Sequence, residues 1–222
     1  MRCNKIFIPL AIFLMSNAFV YSNAFAQYEP NDNYSTFVLS YQSSKFDTPV
    51  CAGGECHDNI AGPVVEYAHQ IIPSLAIGMG GSQLQSSGKL STITSTNVSL
   101  FVQAIAGIGP KVDIGTSVAG LHTQTELCTT VPNACTSTSD IGTDVGVFGK
   151  VFLTEKKTVS VALSYNAIFF KELPNQTVIG LSLVGILAQH HRFALSTSSV
   201  RDQTGKEVSG GLGFGYSYVV YY

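Results

Sequence analysis

The stretch GGLGFGYSYVVYY, residues 210–222, carries the most information in this chain. Leu212, Phe214, Tyr216, Tyr218, Val220 and Tyr222 are large and apolar or aromatic, while Gly211, Gly213, Gly215 and Ser217 between them are tiny or polar. A period of two marks a β-strand with two unlike faces. The exposed face of a soluble sandwich usually carries Lys, Glu or Thr, and its strands are usually shorter. Here the thin face is glycine, which suits the crowded inside of a narrow closed barrel. The aromatic face suits lipid and its headgroup belt.

The composition agrees with that reading. Charged residues are 12% of the 222 and aromatics 10%, against roughly 25% charged in an ordinary soluble domain. Beyond the N-terminus, the longest apolar candidate, VIGLSLVGILA at 178–188, falls well short of the ~18 residues a spanning helix needs. At the N-terminus, Arg2 and Lys5 precede the apolar run IFIPLAIFLMSNAFV and the segment closes on Ala24-Phe25-Ala26. That order predicts a secretory signal peptide over 1–26, Cys3 leaving with it, and one domain over 27–222. Without Arg2 and Lys5, ten of the 12 basic residues remain against 14 acidic ones, a net charge of about minus four. That balance disfavours nucleic acid as a partner, since it needs a basic face.

A terminal strand with an aromatic last residue, Tyr222, preceded at every second position by Val220, Tyr218, Tyr216 and Phe214, resembles the C-terminal signature of Gram-negative outer-membrane β-barrels. The rest of the chain is similar, as a pattern of hairpins, to small barrels such as OmpX and the membrane part of OmpA. The resemblance implies export to the cell outer membrane, a multi-pass antiparallel up-and-down barrel in contact with lipid, and assembly by the barrel-assembly machinery. These five residues would be the assembly signal.

Walking back, the alternation predicts strands near 34–42, 63–72, 74–86, 92–106, 112–124, 141–153, 158–170, 177–187, 192–200 and 208–222. Ten strands is an even total, as such barrels require, and eight is the alternative. Pro73-Ser74, GIGPK (107–111), TEKK (154–157) and AQHH (188–191) read as short turns, whereas 43–62 and 125–140 read as long polar loops. From a periplasmic N-terminus both long stretches fall outside the cell. The same parity sends Val145, Val147, Val151, Leu153, Val159, Val161, Leu163, Tyr165 and Phe169 to the lipid. It sends Glu66, Gln70, Gln103, Asp113, Asp144, Lys150 and Asn166 inward, with Lys150 and Asp113 as a pair. A basic side chain at mid-bilayer on the lipid face costs about 2–4 kcal/mol, which fixes this register.

Evidence for chemistry is thin. The histidines are His57, His69, His122, His190 and His191, and no Ser-His-acid motif accompanies them. His190-His191 in a turn supplies too few ligands for zinc. GIGPK and GGLGFG lack the strand-to-helix setting of a phosphate loop. The sequence thus points to no catalytic residue, cofactor or metal, and to a structural or surface-interaction role with an unspecified extracellular ligand. A small channel, an outer-membrane hydrolase or acyltransferase, and a secreted β-sandwich are the alternatives.

The mature chain holds four cysteines, Cys51, Cys56, Cys128 and Cys135, two in each predicted outer loop. CAGGECH, 51–57, could attach haem, but its spacing is longer than C-x-x-C-H and no second axial ligand is near. Zinc would need Glu55 or Asp58 beside Cys51, Cys56 and His57, and would compete with oxidation. Outside the cytoplasm a disulfide needs nothing further, and it also accounts for CTTVPNAC at 128–135. The expected pairs are Cys51–Cys56 and Cys128–Cys135.

Overall fold

A computed structural model describes residues 34–130, 133–188 and 190–221. The segment 1–26 and Tyr222 lie outside the described residues. Ten strands follow one another: β1 (Tyr34–Ala52), β2 (Glu55–Ile72), β3 (Leu75–Ser87), β4 (Ser91–Gly107), β5 (Val112–Thr130), β6 (Asn133–Phe152), β7 (Val159–Phe170), β8 (Gln176–Ala188), β9 (His191–Arg201) and β10 (Glu207–Tyr221). Each pairs antiparallel with its chain neighbours, and β1 closes on β10 from Tyr34↔Tyr221 to Phe46↔Ser209. The protein is an all-β, up-and-down barrel of ten strands, not eight. Closure removes the sheet edges that an open ten-stranded sheet would expose.

Alternation produces the two surfaces. Phe37, Leu39, Tyr41, Leu100, Leu163 and Phe214 are among the large apolar side chains at least half exposed on the outside. An apolar outer belt of this kind is stable against lipid and not against water. The inside is mixed. Three inward phenylalanines lie across glycines directly paired with them on the next strand: Phe101 with Gly78, Phe148 with Gly115, and Phe170 with Gly142. A Cβ on Gly115 would stand 2.2 Å from the Phe148 ring, so the bare backbone is what lets that ring lie flat in a narrow lumen. Phe101 and Phe170 join Ala119, Leu121, Ile168, Leu173 and Val178 in one apolar cluster. A second cluster, Phe46, Val50, Ile60, Leu84 and Ile93, fills β1 to β4 near their far ends.

One end of the barrel carries the described chain ends, Tyr34 and Tyr221, and the turns β2–β3, β4–β5, β6–β7 and β8–β9. The other, here the hairpin end, carries the remaining five turns. The expected loops 43–62 and 125–140 are not loops. β1 and β2 run on to a two-residue turn at Gly53-Gly54, and β5 and β6 run on to Thr130 and Asn133. Gly, Ser, Asp and Pro made these stretches look irregular, yet they ladder from Cys51↔Cys56 and from Thr130↔Asn133 downward. Two forces straighten them. Phe46, Val50 and Ile60 bury themselves against Leu84 and Ile93, and each hairpin is cross-linked near its tip.

Candidate functional site

The hairpin end concentrates unusual polar chemistry, and it begins with the cysteines. Cys51 is bonded to Cys56 and Cys128 to Cys135, each pair directly opposite across its ladder. Gly53 and Gly54 have φ of 59° and 86°, the left-handed region a two-residue hairpin turn demands and side chains resist. With both thiols of 51–57 in a disulfide, neither is a thiolate for zinc or haem iron.

Glu55, next in the motif, leaves its own hairpin. Its carboxylate accepts the backbone N–H groups of Lys89 (2.9 Å), Leu90 (2.9 Å) and Ser91 (3.0 Å), gathering the β3–β4 turn. The Leu90 and Lys89 amides, in that order, hold its pKa below the usual 4.5; slight burial opposes them, and the Ser91 amide and His57 charge assist. Gly88 makes the approach possible, since a Cβ there would sit 2.0 Å from Glu55 Oε2. His57 turns into the lumen, 4% exposed, with Nδ1 2.8 Å from Ser86 Oγ and Nε2 2.7 Å from Ser91 Oγ. Both ring nitrogens are thus engaged by serines of the same turn. On the other side, Leu90 O accepts Thr130 N (2.9 Å) and Thr130 Oγ1 (3.1 Å). The short β3–β4 turn therefore stitches the two long hairpins together.

The same device recurs around the rim. Asp140 of β6, buried, accepts Glu172 N (3.0 Å) and Leu173 N (2.9 Å) of the β7–β8 turn. Asp202 binds Thr204 N, Thr204 Oγ1 and Lys206 N within the β9–β10 turn. The Thr204 hydroxyl is the main cause of its lowered pKa. Lys206 Nζ reaches Asp47 Oδ2 at 3.7 Å, an exposed pair that contributes little. Carboxylate-to-amide bonds hold turns more firmly because the acceptor is charged.

The inward polar residues do not form one site. Glu66, Gln70, Gln103, Asp113, Asp144, Lys150 and Asn166 are all buried in the lumen. Asn166 Nδ2 donates to both Asp144 oxygens (2.9 and 3.1 Å), and Asp113 faces Lys150 directly across the β5–β6 ladder. Gln70 Nε2 donates to Pro73 O, and Glu66 lies against Gly80. Sequence reasoning missed Arg192, 1% exposed, whose Nη2 donates to Tyr221 Oη at 3.0 Å. The alternation of Phe193 and Leu195 around it would have placed it inward. No local signal marked Glu55 or Asp140, because their partners lie more than 30 residues away.

Phe214, Tyr216, Tyr218 and Val220 stand on the outward face of β10. They join His190, His191 and Phe193 in an aromatic belt at the chain-end mouth: His191 Nδ1 lies 2.7 Å from Tyr216 Oη, and the His190 ring is 5.7 Å from Tyr218. His122 is exposed on β5, opposite Ile141, and among the described residues no acid or serine is bonded to it.

No protein-family model and no curated protein matches the sequence. Among solved structures, the translocator domain of the autotransporter NalP from Neisseria meningitidis is similar over 90% of this chain and 92% of that one, with a TM-score of 0.53 and 12% identity. An outer membrane channel from Pseudomonas putida F1 aligns over 85% of this chain and 96% of its own, at a TM-score of 0.47 and 9% identity. The attachment invasion locus protein Ail of Yersinia pestis covers 85% of this chain and 99% of its own, at 0.43 and 12%. At such identities the likeness is one of fold: the chain has the fold of outer-membrane β-barrels.

Proposed function

We propose that the chain is exported by its 1–26 signal, assembled into the cell outer membrane through its C-terminal strand, and serves there as a surface-interaction barrel without catalysis. The hairpin end faces the outside in this reading, and lipid surrounds the apolar belt. One observation carries it. The longest hairpins are not slack loops but cross-linked ladders tied by Glu55, Leu90 and Thr130 into one rigid rim, above a lumen occupied by phenylalanine and by buried polar side chains. Rigidity fits presentation of a surface, since a preformed shape loses less entropy on binding. The filled lumen argues against a wide pore.

Fractionation of cells with surface labelling tests it. A cysteine-free chain carrying Ser137→Cys should be recovered in the detergent-extracted outer membrane and react with an impermeant maleimide on intact cells. Recovery in the soluble periplasm or medium would refute the membrane assignment, and labelling only after lysis would refute the orientation.

A further inference from the structure

We propose that the outer edge of β6 over residues 133–139 receives an extended, lysine- or arginine-bearing peptide strand of another protein. β5 pairs with β6 along its full length, from Thr130↔Asn133 to Val112↔Val151, but β7 joins β6 only from Gly142 onward. Among the described residues nothing hydrogen-bonds to the far side of 133–139, and every residue of that run except Thr138 is exposed. Lys171 N donates to Ile141 O at 3.1 Å, so Ile141 turns its carbonyl away from β5. Alternation then turns the N–H and C=O of Ser139, Ser137 and Cys135 the same way. The 4.1 Å Cα separation of Cys128 and Cys135 agrees, for it belongs to the close pair type whose peptide groups face away from each other. A ready ladder of donors and acceptors stands open.

The neighbouring long hairpin shows what protection looks like. β1 also outruns β10 beyond Phe46, but there the edge carries Asp47 and Pro49, and its pairing with β2 shifts register between Lys45 and Val50. Charge, proline and irregularity are the usual ways to blunt an edge. Residues 133–139, NACTSTS, contain no charge, no proline and no register shift.

The occupant follows from topology and charge. The chain enters the barrel at Tyr34, at the end opposite 133–139, and the seven residues 27–33 extend at most about 25 Å. Two copies in one membrane share one orientation, so β6 could meet its twin only in parallel, the less stable pairing. From 112 to 149 the sequence has no Lys or Arg. Glu126 lies directly opposite Ser137 on the same face, and Glu172 flanks the strand with Lys171 as counterweight. The surroundings are acidic, which selects a basic strand.

This inference rests on the hairpin end being external, which surface labelling tests separately. The refolded full chain in lipid nanodiscs is titrated with three synthetic peptides: alternating Thr-Lys, alternating Thr-Glu, and Thr-Lys with alternate amides N-methylated. Saturable binding is expected for the first alone, weakening with salt. Ser137→Pro removes an edge N–H without touching the β5 ladder, so it should leave the barrel folded and weaken binding at least about tenfold. Equal binding by Ser137→Pro or by the N-methylated peptide, no binding of any peptide, or a dimer that Ser137→Pro dissociates would overturn the proposal.

Discussion

Glu55 shows how one side chain organises a rim it does not belong to. Because amides of 89–91 hold its pKa low, its contribution is present above 4.5, the ordinary value, and is lost as the pH falls through the lowered folded one. The amide protons of Lys89 and Leu90, followed by NMR in micelles, should therefore shift as the solution is acidified. Glu55→Gln should abolish that titration while keeping the hairpins paired. Flat amide shifts across the acid range in the native chain would show that the carboxylate does not hold the turn. Nothing near Glu55 in sequence announced this, since CAGGECH draws attention to its cysteines and histidine and the partners begin at Lys89.

Among the strands, alternation gave most boundaries within a residue or two; β4, for instance, was expected at 92–106 and runs from Ser91 to Gly107. It failed where polar residues continued a ladder beyond the apolar belt. In β6 the run Thr136-Ser137-Thr138-Ser139 has no apolar side to betray a strand, and only pairing with β5 and the Cys128–Cys135 bond reveal it. The β10 glycines do line its thin face, with Gly211 and Gly215 buried, but the glycine–phenylalanine pairs of the other strands were not foreseen. Phe148→Ala leaves a void over Gly115 and should lower barrel stability by about 3–5 kcal/mol. Gly115→Val pushes the ring away and should cost about 1–3 kcal/mol. Urea unfolding of the refolded barrel in micelles measures both. A neutral outcome for the pair would mean that the ring does not pack on the bare backbone.

For the assembled barrel, the outward aromatics of β10 pack with His190, His191 and Phe193 towards the chain-end mouth and, in the proposed biogenesis, mark the strand for assembly. Tyr222→Ser and Tyr218→Ser should each reduce heat-modifiable, folded barrel in the outer membrane and leave precursor in the periplasm. Undiminished folded barrel in both would count against the assembly signal. Closure into an up-and-down barrel was expected from the resemblance of the terminal strand. Period-two alternation led to ten expected strands, with eight as the alternative, and to which side chains turn outward, because a two-residue repeat leaves only one register that keeps charge on the inner face. It could not say that Glu55, Leu90 and Thr130 meet, that Arg192 and Tyr221 share a bond, or that β6 outruns β7. Those facts depend on where distant strands end relative to one another, which hydrogen-bond register and barrel closure decide and no local window of sequence contains.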